Sequence, residues 1–183
     1  MNYEEALIAE RSRKQMDRIA KAVGADPKEF RKLVNILYTG KDPLPRYAAW
    51  PIEVITRTRP ELVKPHIRRF IETVNDFEED PIRRGIFNAL SKQKIPEKLQ
   101  AKTLDICLEN MLSPERTVAV KVFAMEVAFN IVKEHLELAG ELKAVIEDQW
   151  DKNTVAFRAR GKRILSLLAK KVHAEAQRTR RKK

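Results

Sequence analysis

One pattern occurs four times along this 183-residue chain, at successive spacings of 37, 38 and 37 residues. Each copy has an apolar residue or proline followed by a basic one, then a small or apolar residue at +4 and an apolar residue at +7. The copies are Pro45-Arg46, Ala49, Ile52; Ile82-Arg83, Ile86, Ala89; Val120-Lys121, Ala124, Val127; and Phe157-Arg158, Gly161, Ile164. Positions i, i+4 and i+7 share one face of a helix. The fixed period therefore predicts a helical repeat architecture, in which one unit stacks on the next.

Each repeat is predicted to be a pair of antiparallel helices, with the pattern on the second helix. The repeats are expected at about 26–59, 60–93, 95–136 and 138–172. Proline suits the first turn of a helix, since its missing N–H would be unpaired there anyway. The first helix of each repeat is predicted to start at Asp26-Pro27, Pro60, Pro96 and the region of Leu138. The second is predicted to start at Asp42-Pro43, Asp80-Pro81, Ser113-Pro114 and the region after Asp151 and Asn153. Pro51 and Pro65 are predicted to bend their helices.

The first 24 residues lie outside the pattern. Asn2 is a suitable N-cap, and Gly24 is a suitable C-terminal stop. We expect residues 1–24 to form an N-terminal capping helix over the exposed apolar end of the stack. Residues 1–172 are thus predicted to be one domain, followed by a basic tail at 173–183.

These units resemble the HEAT repeat, most clearly from Pro60 to Leu90, and the resemblance covers roughly residues 26–172. It implies an all-α, right-handed superhelix of about four helix pairs. Pro45 in place of valine and Lys121 in place of arginine depart from the repeat pattern. HEAT arrays are mostly binding scaffolds for proteins and sometimes for nucleic acids, and one branch, the bacterial alkylpurine DNA glycosylases, excises bases.

Composition fits a helical, cytoplasmic protein. Five glycines are too few for a sheet-rich fold, and one cysteine allows no internal disulfide. The N-terminus has no signal-peptide pattern, and no apolar stretch approaches the length of a membrane span. The three histidines are far apart in sequence, and we predict no metal site and no cofactor. Cys107 has the helical spacing of a core thiol.

The net charge of +11 is concentrated at the C-terminus. Residues 1–151 hold 25 basic and 25 acidic side chains, whereas residues 152–183 hold 12 basic ones and Glu175 alone as an acid. Such a run can neutralise phosphates, or it can simply be a solvated terminus. The candidate anion-binding or nucleic-acid-binding residues are Arg158, Arg160, Lys162, Arg163, Lys170, Lys171, Arg178, Arg180 and Arg181.

A second set of cations recurs at one repeat position: Arg46, Arg83, Lys121 and Arg158. A ladder of cations could bind an acidic partner. Recurrence in every repeat favours a structural role instead, with each cation paired to an Asp or Glu in the turn of a neighbouring repeat.

Catalysis is not supported by any motif. Tyr47, Trp50 and Trp150 could stack on a base, although packing is the favoured interpretation. A glycosylase-like site would have to use Trp150, Asp151 and Arg158. The favoured interpretation is a non-enzymatic protein-binding module with no small-molecule substrate and no membrane association. The alternative is nucleic-acid binding through the basic C-terminus.

Overall fold

The computed structural model describes residues 1–181, with side chains described as far as Arg178. Ten α-helices and three short 3₁₀ helices follow one another in this part of the chain, and it contains no strand. The all-α prediction is confirmed, and the hand of the superhelix stays a prediction. The α-helices are α1 Tyr3–Ala9, α2 Arg13–Val23, α3 Pro27–Thr39, α4 Leu44–Thr58, α5 Ile67–Thr73, α6 Asp80–Leu90, α7 Glu97–Leu112, α8 Val118–Val132, α9 Ala139–Asp148 and α10 Val155–Arg181.

The chain forms two compact units, Met1–Lys94 and Ile95–Lys183, and the boundary falls between the second and third predicted repeats. In the first unit, α4 packs against α2, α3 and α6. Its core includes Phe30, Phe70 and Phe87, whose side chains are fully buried. In the second unit, α8 packs against α7, α9 and α10. The first, +4 and +7 residues of the pattern are buried in these cores, as the repeat predicts, except for Pro45, which is half-buried.

The single capping helix predicted for residues 1–24 is wrong, because this segment is two helices. Glu10 is extended and ends α1, and the Ser12 side chain accepts from the Gln15 N–H at 3.1 Å to begin α2. The side-chain amide of Gln15 donates to the Ala6 carbonyl at 2.7 Å and links the two helices. The predicted cap at Asn2 and the stop at Gly24 are both present, and Gly24 takes the positive φ of 56° that suits glycine.

Two other predicted helix starts differ from the structure. Pro114 lies in a turn, closed by the Arg116 N–H donating to the Ser113 carbonyl at 3.4 Å, and α8 begins only at Val118 after the extended Thr117. The segment that begins at Pro60 is a 3₁₀ helix as far as His66 and becomes α-helical at Ile67. Pro65 lies inside the 3₁₀ part, where its ring and missing N–H oppose a regular α-helix.

Close helix approach occurs at small residues in both units. A Cβ atom on Gly85 of α6 would lie 3.2 Å from the Ala49 carbonyl oxygen of α4. A Cβ atom on Gly161 of α10 would lie 2.9 Å from Ile146 Cγ2 and 3.2 Å from the Trp150 ring. Ala49 and Gly161 therefore act as predicted, since a larger side chain would push the neighbouring element away.

Candidate functional site

The last helix, α10, is anchored by one face over its first half only. Phe157, Gly161, Ile164 and Leu168 are buried at helical spacing. Every described side chain from Ala169 to Arg178 is exposed. The helix nevertheless continues without a break to Arg181, so the basic segment predicted as a tail from residue 173 is a continuation of α10 as far as that residue.

Two of the candidate cations on α10 share one carboxylate within the second unit. Arg163 Nη2 lies 2.8 and 2.6 Å from the two carboxylate oxygens of Glu126 on α8, and Arg160 Nη1 contacts the same carboxylate. The Glu126 side chain is only 16% exposed. Burial raises the pKa of Glu126, but the hydrogen bonds from Arg163 and Arg160 outweigh burial and hold the pKa below its ordinary value. This cluster attaches α10 to α8.

We expect Glu126→Gln to destabilise the second unit at pH 7 by about 1–2 kcal/mol, because charge-assisted bonds to two partly exposed arginines are lost. A carboxylate with a lowered pKa in the folded state stabilises the fold above its unfolded-state pKa. This contribution is lost as the pH falls through the folded-state pKa. The gap between wild type and variant should therefore close in acid. Urea unfolding across pH 3–7 measures it, with the exposed Glu141→Gln on α9 as control; a gap independent of pH would contradict the assignment.

The other candidate cations on α10 differ in whether their side chains are bonded to other groups. Arg158 donates to the Asn153 carbonyl at 3.2 Å, and Lys171 Nζ donates to the Lys133 carbonyl at 3.3 Å. Arg178 lies 3.7 Å from Glu175 on its own helix. Lys162 and Lys170 are exposed. Arg180 and Arg181, also predicted, lie outside the described side chains. The structure therefore divides a set that looked uniform in sequence.

The recurring repeat cations also differ in their contacts. Arg83 Nε and Nη2 donate to the carbonyls of Phe77 and Asn75 at 2.6 and 2.9 Å, in the segment just before its own helix. Lys121 is buried, its Nζ donates to Gln149 Oε1 at 3.0 Å, and burial lowers its pKa. Lys121 and Arg158 thus bond to amide and carbonyl oxygens, whereas carboxylates were expected.

Arg46, the first member of the repeat set, is placed differently. It lines a pocket of the first unit together with Tyr47 and Trp50, and with Arg11 and Arg84, which the sequence did not single out. These residues come from the α1–α2 turn, α4 and α6, so only the packing of three elements brings them together. A sequence signal existed for part of the group, because Arg46, Tyr47 and Trp50 are at helical spacing on one side of α4.

The residues considered for catalysis are not brought into a reactive arrangement. Trp150 packs against Gly161, and Arg158 is bonded to Asn153, while Asp151 is exposed. Cys107 is fully buried, and burial raises the pKa of its thiol, so a reactive thiolate is disfavoured. Within residues 1–181, no group of three or more His, Cys, Asp or Glu side chains is arranged to hold a metal ion. No helix in the same range combines the length and apolar character needed to cross a bilayer.

Comparison with known protein families identifies one match, to the HEAT repeat domain, over residues 3–168. The match includes the two N-terminal helices that were predicted to lie outside the repeats, and it ends at Leu168, the last buried residue among the described side chains of α10. Comparison with curated proteins and with solved structures found no match to this chain. HEAT repeats generally serve as protein-interaction scaffolds and are generally non-enzymatic. With nine-tenths of its length matched, the chain belongs to the HEAT repeat family.

Proposed function

We propose that this protein is a non-enzymatic interaction module whose exposed end of α10, residues 169–178, binds an acidic surface of a partner protein. The observation that carries the proposal is that every one of these side chains is exposed along a continuous helix. Val172 is 44% exposed there, and the exposed Lys170 lies two residues before it in sequence. A helix that exposes both an apolar side chain and cations suits a protein interface with an apolar centre and a charged rim.

Several contacts favour a protein over a nucleic acid as the partner. Arg160 and Arg163 are held by Glu126, so phosphates would have to compete with a carboxylate for them. Leu167 and Val172 are large apolar side chains that are 36% and 44% exposed, and phosphates offer nothing to cover them. Among the described candidate cations, Lys162 and Lys170 are exposed and would be available to phosphates.

The proposal is tested by site-specific photo-crosslinking in the full-length protein in its host cells. The crosslinking residue replaces Lys170 or Val172 in turn, and the control replaces Lys143, an exposed lysine on α9. We expect a discrete protein adduct from positions 170 and 172 that survives nuclease treatment and is absent at position 143. Equal labelling at all three positions, or adducts removed by nuclease, would contradict the proposal.

The nucleic-acid alternative is measured directly with labelled single- and double-stranded DNA and RNA. Fluorescence anisotropy is followed across a salt series for wild type, Lys170→Glu and the control Lys143→Glu. Micromolar or tighter binding that falls steeply with salt, and that only Lys170→Glu weakens, would replace the acidic protein with a nucleic acid as partner.

A further inference from the structure

A second candidate site lies in the first unit and is independent of α10. The basic pocket, as we call it, is lined by Arg11, Arg46, Tyr47, Trp50 and Arg84, with Met16, Ala49 and Pro81 completing its wall. Its volume is about 210 Å³, which is larger than a single small ion requires. Three of its eight lining residues are arginines. The unit as a whole has 19 basic and 14 acidic side chains and so carries a net positive charge.

Two hydrogen-bond donors of the basic pocket have no acceptor within the protein. The Nε atoms of Arg46 and Arg84 are both buried, and neither has a hydrogen-bond partner among the protein atoms. Buried polar groups are nearly always paired, because an unpaired one forfeits its solvation. Both arginines also line the basic pocket, so a bound acceptor that draws their guanidinium groups towards it would supply the missing partner.

The charge balance of the basic pocket indicates what kind of acceptor fits. Arg84 Nη2 lies 3.3 Å from Glu53 Oε2, and Arg57 Nη2 lies 2.6 Å from the other oxygen of Glu53, so Arg84 is partly neutralised. Among the described residues, no ion pair is found for Arg11 or Arg46. About two positive charges are therefore uncompensated, and a phosphate monoester carries about −1.5 to −2 at pH 7.

The arginines are held in place by neighbouring groups. The Arg11 guanidinium carbon lies 4.2 Å from the centre of the Tyr47 ring, and that of Arg46 lies 5.7 Å from the same ring. Arg84 precedes Gly85, whose close approach to Ala49 brings the start of α6 against α4. The half-buried Trp50 provides an apolar wall. A ligand would thus meet cations whose positions are already set.

We propose that the basic pocket binds a phosphate monoester, with Arg46 and Arg84 donating from their guanidinium groups and Arg11 supplying additional positive charge. Arginine is suited to this because its planar fork matches phosphate oxygens in pairs. The group attached to the phosphate lies beside Trp50. The phosphate can belong to a small molecule or to a phosphorylated side chain, and both present the same chemistry to the pocket.

The test titrates inorganic phosphate, phenyl phosphate and glycerol phosphate into the full-length protein at constant ionic strength, with acetate and chloride as comparators. Binding is followed by calorimetry and by the Nε–H resonances of Arg46 and Arg84 in ¹H–¹⁵N spectra. We expect all three phosphates to shift these two resonances, and acetate to bind more weakly. Tighter binding of phenyl phosphate would show an aromatic ligand body, and equal binding would show that the pocket recognises the phosphate alone.

Arg46→Gln should weaken phosphate binding by about tenfold or more, since it removes the guanidinium group with its charge and its paired donors. Arg46→Lys keeps the charge and should recover only part of the affinity. Arg18→Gln, an exposed arginine of α2 outside the pocket, is the matched control and should bind like wild type. The melting temperature of each variant in chloride checks that it is folded. Unmoved Arg46 and Arg84 resonances, or equal losses from Arg46→Gln and Arg18→Gln, would overturn the proposal.

Discussion

Replacing Phe157 with alanine should lower the free energy of unfolding by about 3–5 kcal/mol, the range for truncating a buried phenylalanine. Phe157 is fully buried and is the first core residue of α10. Its loss leaves a cavity where α10 meets the rest of the second unit, and the other buried positions of the helix are a glycine and two aliphatic residues. Urea unfolding followed by circular dichroism measures the change.

The control for Phe157→Ala is Val155→Ala on the same helix. Val155 is 71% exposed, so its truncation should change stability by less than about 0.5 kcal/mol. Hydrogen exchange of the Phe157→Ala variant would locate the effect, since the amides of residues 157–168 should lose protection first. A loss below about 1 kcal/mol for Phe157→Ala would show that its ring is not part of the core.

Replacing Arg83 with methionine should lower the free energy of unfolding by about 3 kcal/mol, although the volume of the side chain is roughly kept. The guanidinium donates to the Asn75 carbonyl, the Asn75 side-chain oxygen at 3.0 Å and the Phe77 carbonyl. Without it, two backbone carbonyls of the segment that leads into α6 lose a charged donor. The expected effect is larger than for an ordinary surface arginine.

The matched variant for Arg83→Met is Arg68→Met on α5. Arg68 makes an exposed ion pair with Glu72 at 3.0 Å, and such pairs contribute about 0–1 kcal/mol. Both proteins are compared by urea unfolding under the same conditions. Equal losses from the two substitutions would mean that the Arg83 contacts contribute no more than an exposed pair, and the structural role of this repeat position would be wrong.

The repeat architecture could be predicted from the sequence because the same residue pattern recurs in four copies. A single copy such as Ile82-Arg83, Ile86 and Ala89 is weak, but four copies in phase identify the buried face of every second helix. The capping signals at Asn2, Asp26 and Gly24 are local and were also readable. Ser12 followed by Gln15 is a capping-box pattern, so the break between α1 and α2 had a sequence signal that was missed.

The sites were harder to predict because they depend on which residues meet across elements. Glu126 is 34 and 37 residues from its partners Arg160 and Arg163, and composition alone gives no reason to pair them. In the sequence the basic segment is a uniform run of cations. In the structure Arg158, Arg160 and Arg163 are bonded to other groups, whereas Lys162 and Lys170 are exposed. Arg84 meets Arg46 through the close packing of α4 and α6, and Arg11 meets it through the packing of α1 and α2 on α4, which no pattern along one element describes.

Because α10 is unbroken, the direction in which its exposed side chains point depends on the number of residues in the helix as well as on their identity. Each residue turns the helix by about 100° and advances it by about 1.5 Å. One inserted or deleted residue after Leu168 would therefore rotate Lys170 and Val172 each by about 100° around the helix axis, relative to the buried half. The buried half, from Phe157 to Leu168, would be unaffected. Substitution on this helix can therefore be gradual, whereas a change in length would redirect its whole exposed end at once.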